Sequence, residues 1–524
     1  MKTKYKCIYN HELLILATSQ TPYASYSEPF TDAQTIGLVE ELRGTGVDVL
    51  AICPQAWQTN LWKSKIDRRW EELSPEQEEP IFEADVKYAN RAYYRMRRYL
   101  MEGNDPVGLT VETARKCGIA PFFSYRMNEH HYTNNPEIAT HSEFWKERQH
   151  LMLEECGSNL DYMIEEVRDH YRSLIFELLE NYEVDGFECD FMRFPKYFRE
   201  GQEVEGAKVM TGFVREIRDK LDELGEKRGK RLSLCVRVPR SPDAALAIGL
   251  NVGRWDAEGL IDMVNASSMF RNTQETDIEG FSKVVKNSSL YGEMHFVTQP
   301  GKAPSGYWVN VNRLTLPETY RSTALSFLER GADGISLFNF AYTRDHTMSE
   351  PRKFLFPGVE PPFHIIPELV SADKLREGSQ LIVINPGFEQ LPRPIKGQSS
   401  EKFRIYVGDV FDKPFVAAVV RIESDSQISY RPFSVSINGH STRATILNGE
   451  LFPTMSIEAL PDPLDLQCFS LDPASLRPGF NEVVVHNNWV TSGGGGYRGT
   501  LNLERIEVAL YRTLSEEMRQ RLRV

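Results

Sequence analysis

Two carboxylates stand two residues apart inside an otherwise apolar run, Val184-Asp185-Gly186-Phe187-Glu188-Cys189-Asp190-Phe191-Met192-Arg193-Phe194-Pro195. In extended backbone, alternation puts Phe187, Cys189 and Phe191 on one face and Gly186, Glu188, Asp190 and Met192 on the other. The apolar face can pack under helices, so the acids must look into an enclosed polar space, where burial perturbs proton affinity. Carboxyls in such a place can divide general acid and general base work between them.

Other segments point polar groups the same way. In Ile119 to Asn128, Ser124, Arg126 and Asn128 share one parity, and Glu129-His130-His131 follows in the loop. In Leu232 to Val238, the apolar alternation leaves Ser233 and Arg237 on the inner face. In Tyr291 to Val297, the inner parity is Tyr291, Glu293 and His295. Convergence of several strands on one mouth is harder to produce by chance than any single residue. Bland roles compete for some positions: Asp185 and Asp333 each precede a glycine and suit turns or caps, and Arg237 could simply neutralise Glu188. Adjacent His130 and His131 point apart in a strand, and no second His or Cys cluster accompanies them, so no metal is expected.

The elements that would position these residues repeat one pattern to about residue 345: amphipathic helix, Gly or Asp-Gly, short apolar strand. Candidate strands are Cys7 to Tyr9, Val47 to Cys53, Ile119 to Tyr125, Gly186 to Asp190, Leu232 to Val238, Ile261 to Ala266, Tyr291 to Val297 and Gly334 to Asn339. Eight such units predict a (β/α)8 barrel, with reaction chemistry at the C-terminal strand ends. A doubly wound open sheet is the rival, but no Gly-rich dinucleotide fingerprint follows the first strand, and no cofactor is expected. The expected domains are a barrel over residues 1–350, a Pro-rich join over 351–368 and an all-β, jelly-roll-like sandwich over 369–524.

A net charge of −13 and a pI near 5.5, with no basic cluster interleaved with aromatics, argue against a nucleic-acid partner. No apolar run approaches the ~20 residues that span a bilayer, so no membrane partner is expected. The opening Met1-Lys2-Thr3-Lys4-Tyr5-Lys6 lacks the apolar stretch of a signal peptide, which suits a cytoplasmic protein or one whose export signal has already been removed. Seven scattered cysteines without CxxC spacing read as reduced, buried thiols. Trp57, Trp62, Trp145 and Trp308 read as loop aromatics, of the kind that stack on sugar rings.

About two thirds of the chain resembles glycoside-hydrolase-like (β/α)8 proteins. The resemblance is carried by the Val184 to Pro195 run, by Ser124-Tyr125-Arg126-Met127-Asn128, by Arg237-Val238-Pro239 and by Gly331-Ala332-Asp333-Gly334-Ile335-Ser336-Leu337-Phe338-Asn339. The acid-rich strand is also similar to that of family 18 chitinases, Asp-Gly-x-Asp-x-Asp-x-Glu. It departs at the last position, where Met192 replaces the proton donor, and a thioether cannot protonate a leaving oxygen. The expectation is cleavage of a glycosidic bond in an oligo- or polysaccharide by the carboxylate pair Asp190 and Glu293. Glu188, Arg126, Asn128, His131, Arg193, Arg237, His295, Asn339 and Trp308 are the candidate substrate contacts. Several arginines at one mouth suit an acidic or sulfated sugar. Two other readings fit the same residues: a non-catalytic carbohydrate-binding protein on a degenerate barrel, and a metal-dependent sugar-processing enzyme.

Overall fold

A computed structural model describes residues 2–17, 19, 21–23, 29–68, 84–129, 131, 133, 141–155, 159–299, 313–345, 360–424, 433–445, 465–488 and 499–513. Trp308 and His130 lie outside the described residues.

All eight expected strands form, as β1 (Cys7–Glu12), β2 (Val49–Cys53), β3 (Ala120–Arg126), β4 (Gly186–Asp190), β5 (Ser233–Pro239), β6 (Met263–Ser267), β7 (Ser289–His295) and β8 (Gly334–Phe338). They pair in parallel and close into a barrel, β1 bonding to both β2 and β8. The register sets Arg126 beside Asp190, Asp190 beside Arg237, and Arg237 beside Asn265. One parity of β4 faces outward as expected: Phe187 stacks on Tyr125, and Tyr125 meets Tyr171 edge-on. Tyr171 belongs to α1 (Glu165–Asn181), whose buried stripe of Val167, Tyr171, Leu174, Ile175 and Leu178 recurs at helical spacing.

The barrel floor is apolar, built from Ile8, Val49, Ala51, Phe122, Cys235, Met263 and Tyr291. Two glycines make this layer possible. A Cβ on Gly186 would lie 2.4 Å from the Phe122 ring and 2.7 Å from the Ser233 carbonyl oxygen, and one on Gly334 would lie 2.4 Å from the Lys6 carbonyl oxygen. Each Asp-Gly pair is thus a lower-face device. Asp185 bonds Lys230 at 2.5 Å, and Asp333 accepts from the Leu290 amide at 3.0 Å. Gly186→Ala is expected to destabilise by about 1–3 kcal/mol through overpacking. Urea unfolding checks this, and an unchanged midpoint would contradict the packed floor.

A second compact unit comprises residues 270–276, 294–330 and 365–524. Its β9 (Gln380–Ile384), β10 (Arg393–Ile395), β11 (Ser399–Val407), β12 (Ala417–Ser424), β13 (Phe433–Ile437), β14 (His440–Ser441), β15 (Arg443–Thr445), β16 (Asp465–Ser470), β17 (Gly479–Asn487) and β18 (Leu501–Tyr511) form two antiparallel sheets. One runs β9-β18-β12-β16-β15 with β10 beside β18, the other β11-β17-β13-β14. Asn438 and Gly439 turn β13 into β14 with φ of 50° and 82°, the left-handed pair that a two-residue hairpin favours. Across β12 and β18, Arg421 Nε bonds Glu507 Oε2 at 2.5 Å in a buried pair.

Candidate active site

Four strands deliver charged or polar side chains above the apolar floor, and one guanidinium joins them. Arg237 on β5 is fully buried. Its Nε and Nη2 donate to Glu293 Oε2 and Oε1 at 2.5 and 2.9 Å, and its Nη1 donates to Asp190 Oδ1 at 2.8 Å. Ser267 Oγ accepts from Nη2 at 3.1 Å and donates to Glu293 Oε1 at 2.5 Å. The guanidinium also lies 3.8 Å from the centre of the Phe338 ring, a cation–π contact from β8. Burial alone would depress the Arg237 pKa, but Asp190 and Glu293 outweigh it and hold the group well above its ordinary value. Arg237 therefore bridges the two acids from β4 and β7 instead of neutralising Glu188 alone.

The two acids are not equivalent. Glu293 spends both oxygens on Arg237 and Ser267. Asp190 takes Arg237 and the Met192 amide, at 2.8 Å each, on Oδ1, so Oδ2 is uncommitted among the described residues. Met192 thus fixes Asp190 through its backbone amide.

Glu188 sits one layer down, where Ser124 Oγ donates to Oε1 at 2.7 Å, and Cys235 Sγ and Asn265 Nδ2 reach Oε2 at 3.3 and 3.4 Å. Burial on the apolar floor, reinforced by the Asp190 charge, raises the Glu188 carboxyl above its ordinary value. A carboxyl raised by folding binds its proton more tightly in the native state. Stability is therefore greatest below the unfolded value and is lost as pH rises through the folded one. Glu188→Gln is expected to flatten that dependence and to gain on wild type as pH rises from ~4 toward neutrality. Melting temperatures across that range check it, and parallel curves for the two proteins would contradict it.

Beside the Arg237 group lies a second ionic group, anchored by Arg126, the register partner of Asp190. Arg126 Nη2 bonds Glu12 Oε2 at 2.5 Å, and its Nη1 bonds Glu129 Oε2 at 2.8 Å. Gln55 Oε1 accepts from the Arg126 amide at 2.7 Å and holds the end of β3. Burial would raise Glu12, but Arg126 and then Arg193 hold it below the ordinary carboxylate range. Glu129 is likewise lowered, against burial, by His131 and Arg126. His131 Nδ1 meets Glu129 Oε1, and Arg193 Nη2 lies 2.5 Å from His131 Nε2.

The remaining candidates divide. Asn128 is buried and employed on backbone, donating to the Lys196 carbonyl at 2.8 Å and accepting from the Leu160 amide at 3.2 Å. His295 packs against the Phe270 and Phe296 rings, at 5.4 and 4.6 Å. Asn339 is half-buried, with a left-handed φ of 52° that ends β8 and breaks simple alternation. Trp57, Trp62 and Trp145 are buried rather than presented as loop platforms, Trp62 Nε1 donating to Glu177 at 3.0 Å. Sequence reasoning gave no role to Glu12, Glu129, Asn265, Ser267 or Ser336. Asn265 Nδ2 donates to Ser336 Oγ at 3.0 Å, and both side chains follow the inward parity of their strands. Among the described residues, no group of three or more His, Cys, Asp or Glu side chains is arranged to hold a metal ion, and no helix is long and apolar enough to cross a membrane.

No protein-family model and no curated protein matches the chain. Among solved structures it is similar to alpha-L-fucosidase isoenzyme 1 from Paenibacillus thiaminolyticus, with 12% identity and a TM-score of 0.36 over 95% of this chain and 97% of that one. It is also similar to chitinase ChiA74 from Bacillus thuringiensis, with 8% identity and a TM-score of 0.39 over 93% and 98%. A third is a GH138 enzyme targeting pectin rhamnogalacturonan II, with 13% identity and a TM-score of 0.36 over 63% of this chain and 34% of that one.

Proposed function

We propose that the chain is a carbohydrate-active hydrolase that cleaves a glycosidic bond at Asp190, with Glu293 as the second carboxylate of the pair. The observation that carries this reading is the meeting of Asp190 and Glu293 on Arg237, above an apolar floor and at the strand ends where barrels place their chemistry. Their roles are unequal. Glu293 cannot pass a proton to a leaving group while both its oxygens serve Arg237 and Ser267, so it holds the guanidinium and sets negative potential beneath an oxocarbenium-like centre. Asp190 keeps Oδ2 for the anomeric carbon or for an attacking water.

Charge balance bears on the sugar. Among the described residues the two ionic groups set three arginines, Arg126, Arg193 and Arg237, against four carboxylates, Glu12, Glu129, Asp190 and Glu293. A neutral sugar fits this balance better than the acidic or sulfated one that the count of arginines suggested. A panel of neutral, acidic and sulfated oligo- and polysaccharides with product detection tests both points. The expected result is new reducing ends from a neutral glycan. Binding of a glycan without any cleavage would overturn the hydrolase and leave the carbohydrate-binding reading, which Met192 and the fully engaged Glu293 favour.

A further inference from the structure

The proposed reaction lacks a proton donor, since Glu293 is fully engaged and Met192 cannot serve. The second ionic group holds an imidazole. A guanidinium only donates, so His131 Nε2 accepts from Arg193, and the single imidazole proton sits on Nδ1 and is donated to Glu129. Glu129 is itself pinned, taking Arg126 at 2.8 Å on Oε2 and the His131 amide at 3.0 Å on Oε1. A carboxylate that fixes the tautomer through Nδ1 and aims Nε2 elsewhere is the arrangement that makes an imidazole a proton carrier. With a quarter of its side chain exposed, His131 is also more open than Glu129 or Arg126.

The ring is framed by two aromatic side chains, Trp57 at 6.3 Å and Phe194 at 4.9 Å, both roughly edge-on. Trp57 and Phe194 follow β2 and β4 and carry φ of 54° and 49°, a left-handed backbone that is strained for a bulky residue. Two such residues closing on one imidazole is the kind of local strain that collects at functional sites. Arg126 and Asp190 are register partners on β3 and β4, so the imidazole's anchor and the reacting carboxylate hang from adjoining positions.

We propose that His131 is the proton carrier of this site, with Glu129 as its positioning residue and Arg193 as a cap that the sugar displaces. The inference rests on the hydrolase reading above. Once the sugar has displaced Arg193, Nε2 takes a proton from solvent; in the first step the imidazolium Nε2–H then protonates the departing glycosidic oxygen as the C1–O bond breaks and Asp190 Oδ2 bonds to C1. In the second, neutral Nε2 takes a proton from water, the water oxygen bonds to C1, and the ester to Asp190 breaks, which restores the imidazolium. The charged groups around the ring are Glu129, Arg193, Arg126 and Glu12, with the Tyr342 phenol sensing the last three. Burial, opposed by Glu129 and assisted by Arg193, holds the imidazole below its ordinary value. Displacing Arg193 removes one depressing charge as the sugar binds. Activity should therefore fall as pH rises through the value His131 has in the complex.

The test uses His131→Gln on aryl glycosides of the sugar that the glycan panel identifies, one with 2,4-dinitrophenol and one with 4-methoxyphenol as leaving group. The poor leaving group should lose ~10²-fold or more in kcat/KM, the good one less than about tenfold, and the alkaline limb of kcat/KM should vanish. Equal losses in kcat/KM on both, or a loss within about threefold with an unchanged pH profile, would overturn the role of His131. If Asp190→Asn is then still inactive, the hydrolase reading survives; if Asp190→Asn is also active, or the panel yields no cleaved sugar, both fall. Should His131→Gln fail to fold, nitrogen-15 NMR of the wild-type histidines decides: a neutral ring protonated on Nδ1 is expected, and an Nε2–H tautomer overturns the proposal.

Discussion

Asp190→Asn is expected to lower kcat on the cleaved glycan by ~10²-fold or more while leaving the fold intact. The substitution is unusually clean here. Both hydrogen bonds that Asp190 receives, from Arg237 Nη1 and from the Met192 amide, end on Oδ1, which an asparagine retains. Only Oδ2 changes, from a carboxylate oxygen to an amide nitrogen, and that atom is the one the reaction requires. Glu293→Gln makes the contrast. Its amide group must point at Arg237 or Ser267, donor against donor, so a stability loss of about 1–3 kcal/mol should accompany its loss of activity. Steady-state kinetics beside thermal melts separate the two; an Asp190→Asn protein with kcat within about threefold of wild type would remove Asp190 from the chemistry.

Arg237→Met should be the most damaging change to stability, at about 3–5 kcal/mol, because it strips the counter-charge from two buried carboxylates. It also removes the cation that lies 3.8 Å over Phe338. Adding Asp190→Asn and Glu293→Gln to Arg237→Met should restore much of the loss at neutral pH. Urea unfolding at neutral pH checks this. A penalty that the triple variant leaves unrelieved would mean the damage comes from lost packing rather than uncompensated charge.

The barrel was legible because its strands are short apolar runs after helices, and because Asp185-Gly186 and Asp333-Gly334 mark where β4 and β8 begin. Period-two alternation also found the right faces: Glu188, Asp190, Arg237 and Glu293 all point inward. What alternation cannot give is who meets whom. Arg237 sits beside Asp190 by register, but its bond to Glu293 spans from β5 to β7, a consequence of barrel closure that no local pattern encodes. Glu12 was given no role because β1 runs three residues past Tyr9, and Glu129 because it stands beyond the end of β3, where period-two reading stops. Asn265 and Ser267 were passed over as neutral side chains, although a buried ion pair needs such groups to satisfy its remaining hydrogen bonds. For Asn339 alternation gives no face, since a left-handed φ ends it at Phe338.

Hydrolysis at Asp190 can be tested most directly by running wild type and Asp190→Asn side by side on the cleaved glycan in oxygen-18 water and weighing the new reducing ends. The expected result is one heavy oxygen at the anomeric carbon of the wild-type product and almost no product from the variant. Unlabelled ends, or equal labelled product from both proteins, would contradict it.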